Sequence, residues 1–365
     1  MKRHIRLIVT FIAVFSAFIV VVQPVASLTT MTNVDAVAAG PVDSIAFGIN
    51  NLGVSVGYSR SQSGDVHAVL WTPKAGIVDL ETVGDGYSRA YATNNVGQVV
   101  GYRQLGTGEV HATLWNVDGA RIDLGTLGGE SSVAYGINNR GDAVGQSDLL
   151  VEPAAIAAEE APRHAARWNI DGSIVDLGTL GGAISQANDI NDRGEAVGFS
   201  ETANGATHAA FWPELQIMID LGTLGGPNSY ARANNSAGEI VGDSEVASGT
   251  LHAFLWTEAK GMIDLGTLGG EWSYAYAINE RGEIAGYSTT PTGDAHAYIW
   301  TPKEGMIDLG TLGGTWSYAH GLNDRGQIVG CSEIFLGHVH AFLWTAEEGM
   351  VDLGALGEEW HIFAY

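Results

Sequence analysis

Apolar and polar positions along this chain return in phase. From Ser273, the run Ser273-Tyr274-Ala275-Tyr276-Ala277-Ile278 alternates small side chains with larger ones, the period of two that predicts a half-buried strand, here strand a. Asn279-Glu280-Arg281-Gly282 follows, and a glycine in its last place suits a type I turn closed by a left-handed residue in a hairpin. Glu283 to Ser288 then predicts strand b, and after a polar loop His296-Ala297-Tyr298-Ile299-Trp300 predicts strand c. Strand c is almost continuously apolar, which implies burial on both faces, as in a small sheet sandwiched between two others. Thr301 to Gly305 makes the next turn, Met306 to Leu309 predicts strand d, and Gly310-Thr311-Leu312-Gly313-Gly314 leads into the following unit. Helical periodicity is absent from these repeats.

The His-Ala-x-x-Trp signature of strand c starts at His67, His111, His164, His208, His252, His296 and His340, with a spacing of 44 residues except for one step of 53. A fixed period of this size means one supersecondary unit copied seven times, each stable only against its neighbours. Four short strands per unit match a blade, so the fold class is all-β: a seven-bladed β-propeller of four-stranded blades, with an open β-solenoid as the alternative. The small residues of strand a place it innermost, where blades crowd. The long step comes from an insertion near Leu149 to Pro162, between strands b and c, which reads as a surface loop.

Basic residues Lys2, Arg3 and Arg6, the uncharged run Leu7 to Val22 and a small-residue exit at Val25-Ala26-Ser27 predict a secretory signal over residues 1–27, with cleavage as late as residue 38. An uncleaved membrane anchor is the alternative, although sixteen residues fall short of a span. Residues 28–43 form a leader in which Val34-Asp35 resembles a decayed strand d, and residues 44–365 form the propeller, Trp360 to Tyr365 starting an eighth strand a. The net charge of −24 repels nucleic acid and anionic membrane surfaces. Cys331, the single cysteine, has no disulfide partner and reads as a small buried filler.

Three motifs recur together: His252-Ala253-Phe254, Asp264-Leu265-Gly266-Thr267-Leu268-Gly269-Gly270 and Asn279-Glu280-Arg281-Gly282. They resemble the HAF repeat family of bacterial extracellular proteins over roughly residues 44 to 358, with departures in the first unit at Ala68-Val69 and Asp79-Leu80-Glu81. The resemblance implies a secreted or cell-surface repeat protein and supplies no catalytic residues.

The seven histidines and the aspartates Asp79, Asp123, Asp176, Asp220, Asp264, Asp308 and Asp352 suggest acid–base or metal chemistry, but catalysis needs one unequal constellation rather than seven equivalent places. They read instead as structural: a buried histidine bonded to backbone or to the aspartate of its own blade, with no metal and no cofactor. The Leu-Gly-Thr-Leu-Gly-Gly segment has neither the lysine nor the helix of a phosphate loop and reads as a turn.

Trp272, Trp316 and Trp360 break the symmetry, because earlier units carry Tyr87, Ser131, Ile184 and Asn228 at that place. With Glu271 they form the candidate binding residues, on a rim shared with the variable loops, for sugar rings or another envelope or extracellular protein; the bland reading packs them between blades. The expectation is a monomeric, non-enzymatic binding or scaffold module. The alternatives are a glycan-cleaving propeller, with Asp243, Glu271 and Glu359 as the only asymmetric carboxylates, and a structural spacer without a ligand.

Overall fold

The structure, a computed structural model, describes residues 44–354 apart from 53, 61–64, 73–75, 81–86, 151–161, 215–216 and 336–338. The signal segment, the leader with Val34-Asp35, the central part of the insertion, and Glu359 with Trp360 to Tyr365 lie outside the described residues. The described residues form a seven-bladed β-propeller, each blade an antiparallel sheet of four sequential strands. In blade 6 these are Ser273–Ile278, Ile284–Thr289, Ala295–Thr301 and Gly305–Asp308, hydrogen-bonded in chain order and lettered a to d from the axis outward. A single parallel bridge, Arg163 to Ile184, links the sheets of blades 3 and 4.

The core lies between blades rather than within them. Val241, Ala253 and Leu255 of blade 5 pack on Ala275, Ile284 and Tyr298 of blade 6, and equivalent layers lie between blades 1 and 2, 2 and 3, 3 and 4, 4 and 5, and 6 and 7. A lone unit would leave both faces wet, which is the physical content of the repeat. The alanine of His-Ala-x-x-Trp is fully buried in the first six units because strand a of the next blade presses on it. There the strand a serine accepts the alanine N–H at 2.8 Å, as Ser273 does from Ala253 and Ser317 from Ala297. Trp115, Trp168, Trp212 and Trp256 are buried between blades, and Trp212 reaches back to donate to Leu177 O of blade 3 at 2.9 Å.

Strand a bulges in every blade. In blade 6, Ala275 pairs with Gly286 and Ala277 with Ala285, so Tyr276 between them is the extra residue of the bulge. The bulge drives the carbonyl of Tyr274 so close to Gly286 that a Cβ there would sit 1.8 Å from it, which is why strand b carries a glycine at that place.

The Asn-x-x-Gly turns between strands a and b do more than reverse the chain. The asparagine Oδ1 accepts two N–H groups of its own turn in blades 1 and 3 to 7 and that of Gln98 in blade 2, while the Nδ2 donates to the asparagine carbonyl of the next blade: Asn50 to Asn94, Asn94 to Asn138, Asn138 to Asn191, Asn191 to Asn235, Asn235 to Asn279 and Asn279 to Asn323, at 2.9–3.1 Å. Between blades 7 and 1 the described contact is Asn51 Nδ2 to Asp324 Oδ2 at 3.3 Å, which closes the circle. No described strand crosses this seam, since blade 1 uses Ser44–Ile49 to Gly76–Asp79 and blade 7 uses Gly313–Leu322 to Gly349–Gly354, each from one unit.

Candidate functional site

The periodic histidines and aspartates sit at the outer strands. His67–Asp79, His111–Asp123, His164–Asp176, His208–Asp220, His252–Asp264 and His296–Asp308 pair through Nδ1 at 2.8–2.9 Å. His340 and Asp352 lie outside the described side chains. The histidine side chains are 15–23 % exposed and the aspartates 38–42 %, so these pairs are partly wet rather than buried, a correction to the sequence reading. Asp123, Asp176, Asp220, Asp264 and Asp308 also cap the turn that follows. Asp264 Oδ1 accepts Gly266 N–H at 2.7 Å, and Gly266 takes φ +72°, the left-handed region where a side chain is strained. Asp-Leu-Gly is therefore a turn that aims strand d at the next blade. Among the described residues no group of three or more metal-ligating side chains gathers.

The connections from d to a and from b to c meet on one face, here the loop face: a side chain at Gly269 would touch Pro291, and Leu149 N–H bonds Pro162 O at 3.1 Å across the base of the insertion. Trp272 lies on this face, 44 % exposed, with Glu271 at 3.4 Å from its indole nitrogen. Trp316 is half-buried and stacks on Tyr318 with centroids 4.9 Å apart. The ring contacts continue edge-on from Tyr318 to Tyr287 at 4.5 Å and stacked from Tyr287 to Tyr274 at 4.6 Å. Trp360 lies outside the described residues, as does Glu359.

Next to these tyrosines, Arg232 and Asp243 form a fork at 2.6 and 3.2 Å with their side chains 11 % and 1 % exposed. Burial works against the guanidinium charge, yet the Asp243 carboxylate outweighs it and raises the Arg232 pKa. Asp243 is thus engaged with Arg232, and it does not stand as an isolated acid. Burial, followed by the Asp243 charge, pushes the Tyr274 phenol up to about 12, so it stays a neutral donor. Across the ring a second nest holds Arg89 over the rings of Tyr58 and Tyr87, at 4.6 and 5.3 Å.

These residues occupy the variable places of strands a and b. The bulge residue of strand a is Phe47, Tyr91, Tyr135, Asn188, Arg232, Tyr276 and His320 in blades 1 to 7, and Phe47, Tyr91 and Tyr135 follow one another around the axis at 5.0 and 5.2 Å. Sequence reasoning passed over them. The signal was present as variation between copies at a fixed phase, but only the bulge shows that this phase faces the channel.

His320 stands beside Cys331, with Nε2 3.7 Å from Sγ. Burial lowers the imidazole pKa from 6.5 to about 4 and pushes the thiol up to about 12, so both are neutral and the thiol is unreactive. Below pH 6.5 the unfolded chain takes up a proton at this histidine that the folded ring refuses until about pH 4, so stability drains away across that window. Asp189 has a raised pKa from burial and acts in the opposite sense. Melting curves between pH 7 and pH 4 should therefore show the native chain losing more stability than His320→Tyr, a variant carrying the residue of blades 2, 3 and 6; equal losses would contradict this account.

Solved structures share this architecture. The β-propeller domain of the Trilobed protease from Pyrococcus furiosus, described as having an open velcro topology, superposes with a TM-score of 0.57 at 10% identity, covering 87% of this chain and 99% of that one. A puromycin hydrolase gives 0.56 at 14% identity, covering 85% of this chain and 53% of that one. The BP39L lectin from Burkholderia pseudomallei gives 0.50 at 8% identity, covering 84% and 97%. The chain spans about half the length of the puromycin hydrolases it resembles. No family model matches the chain, and no curated protein does. The expectation of a non-enzymatic module is corrected by these comparisons: hydrolases and a peptidase carry the same fold, so the architecture gives no ground for setting enzymes aside.

Proposed function

We propose that this propeller binds carbohydrate at the loop-face mouth of its channel, on blades 5 to 7. One observation carries the reading: partly exposed rings run from Trp316 through Tyr318 and Tyr287 to Tyr274, and end at the fixed Arg232–Asp243 fork. Aromatic planes stack on the C–H faces of sugar rings, while tyrosine hydroxyls and the fork supply directional hydrogen bonds to their hydroxyls. The occurrence of a lectin on this fold supports the reading without specifying a sugar. Trp272 and Glu271 extend the same face outward. The alternative ligand is another envelope or extracellular protein.

The basic start, apolar run and small-residue exit over residues 1–27 support secretion or surface attachment, as does the resemblance of the three phased motifs to the HAF repeat family. On a glycan array followed by calorimetry, the chain should bind a restricted set of glycans. Trp316→Ala and Tyr318→Ala should each weaken that binding about tenfold or more, the loss of one stacking plane of ~1.5 kcal/mol. An array with no bound glycan, or variants that bind as the native chain does, would sink the proposal.

A further inference from the structure

We propose that the waist of the central channel binds a protonated organic amine, with Asp189 as its counter-ion. The residue after the bulge in strand a is Gly48, Ala92, Gly136, Ala233, Ala277 and Gly321 in six blades, and Asp189 in blade 4. Crowding at the axis explains the small residues, so a carboxylate there runs against the packing rule of its own repeat. Asp189 borders two cavities: one of about 220 Å³ inside the channel and one of about 210 Å³ at the mouth formed by the asparagine turns. Among the described residues its oxygens accept only backbone N–H groups, Ile190 at 2.9 Å and Asn234 at 3.2 Å. Among the described residues no arginine, lysine or histidine pairs with it. A partly buried carboxylate at a place the other six blades give to Gly or Ala marks a position where function overrides the packing rule of the repeat.

The surroundings select the ligand class. The inner cavity is walled by Phe47, Tyr276, His320, Ile278, Leu322 and Val329, apolar or aromatic surface that suits an alkyl chain and the face of an ammonium group. Beside Asp189, Asn234 lines the mouth cavity; it is 7 % exposed, its Nδ2 donates to Glu195 O at 3.0 Å, and its Oδ1 has no hydrogen-bond partner. In blades 1, 3, 4 and 6 that place is isoleucine, so this asparagine also breaks the repeat. A carboxylate and an unfilled amide oxygen form an acceptor-rich end suited to N–H donors. Calcium would require six to eight oxygen ligands, and no cluster of three acidic or metal-ligating side chains exists among the described residues. The net charge of −24 adds a field that draws cations inward.

The test is calorimetry and thermal melting of the full chain with n-butylammonium, 1,4-diaminobutane, calcium chloride and sodium chloride. Saturable binding of an amine, with a rise in melting temperature that sodium chloride does not reproduce, is the expected result. Asp189→Ala carries the residue of blades 2, 5 and 6. It should fold at least as stably as the native chain without ligand and should weaken amine binding at least tenfold, and Asp189→Asn, which keeps the shape and removes the charge, should do the same. Absence of amine binding overturns the proposal, as does amine binding indifferent to both variants. Calcium binding lost in both variants without any amine response would replace the amine with a metal, and failure of both variants to fold would make Asp189 structural; either outcome overturns it. Glycan binding at the rim, read in the same variants, should be unchanged.

Discussion

Gly242→Ala should cost roughly 3 kcal/mol or more of stability, at the upper end of what overpacking does in a protein core. The added Cβ would lie 1.9 Å from Tyr230 O and 2.9 Å from Ala231 Cα, both backbone atoms of strand a in the same blade. No rotamer change relieves a clash between two main chains, so the bulge must open. That would shift Arg232, the bulge residue, away from Asp243 and take the floor of the candidate site with it. Urea denaturation checks the expectation; a free energy within about 0.5 kcal/mol of the native chain would mean that strand a yields easily.

Asn191→Ala is the second large effect, expected at roughly 3 kcal/mol, because several polar groups lose their partners at once. Its Nδ2 serves Asn235 O at 3.0 Å and Glu195 Oε2 at 2.8 Å, and its Oδ1 accepts from Arg193 and Glu195 N–H at 3.0 and 3.1 Å. Asn191 itself is buried, so water does not simply replace these bonds. The half-exposed His–Asp pairs are different: each is a wet ion pair or neutral hydrogen bond, a class worth little to folding. Hydrogen exchange should show faster opening in blades 4 and 5 of Asn191→Ala, while uniform protection would argue that the turns are held by their strands alone.

Much of this architecture was legible because a repeat shows its own averaging. The phase of His-Ala-x-x-Trp set the blades, and the strands read from Ser273 to Leu309 fall within a residue of those observed at Ser273–Ile278, Ile284–Thr289, Ala295–Thr301 and Gly305–Asp308. The second duty of the asparagines was not legible, because Asn279 satisfies the turn rule locally and gives no further sign that its amide spans two blades. Asp189 escaped notice for the opposite reason. It interrupts a Gly/Ala position whose meaning depends on the bulge, and alternation alone places every second residue of strand a on the same side. Trp272 and Trp316 stood out as candidates because they depart from the pattern; the tyrosines near them look like ordinary strand residues until their rings are seen in contact.

Among the described residues the ring has one joint unlike the rest. Propellers whose last sheet borrows a strand from the chain's other end are buckled by main-chain ladders, whereas the described part of this ring meets itself through the Asn51–Asp324 bond. Among the described joints this one holds by the fewest bonds, so tension applied across Ser44 and Gly354 would part it first and then peel modules away in sequence. The molecule can thereby absorb mechanical work in steps instead of failing as a unit.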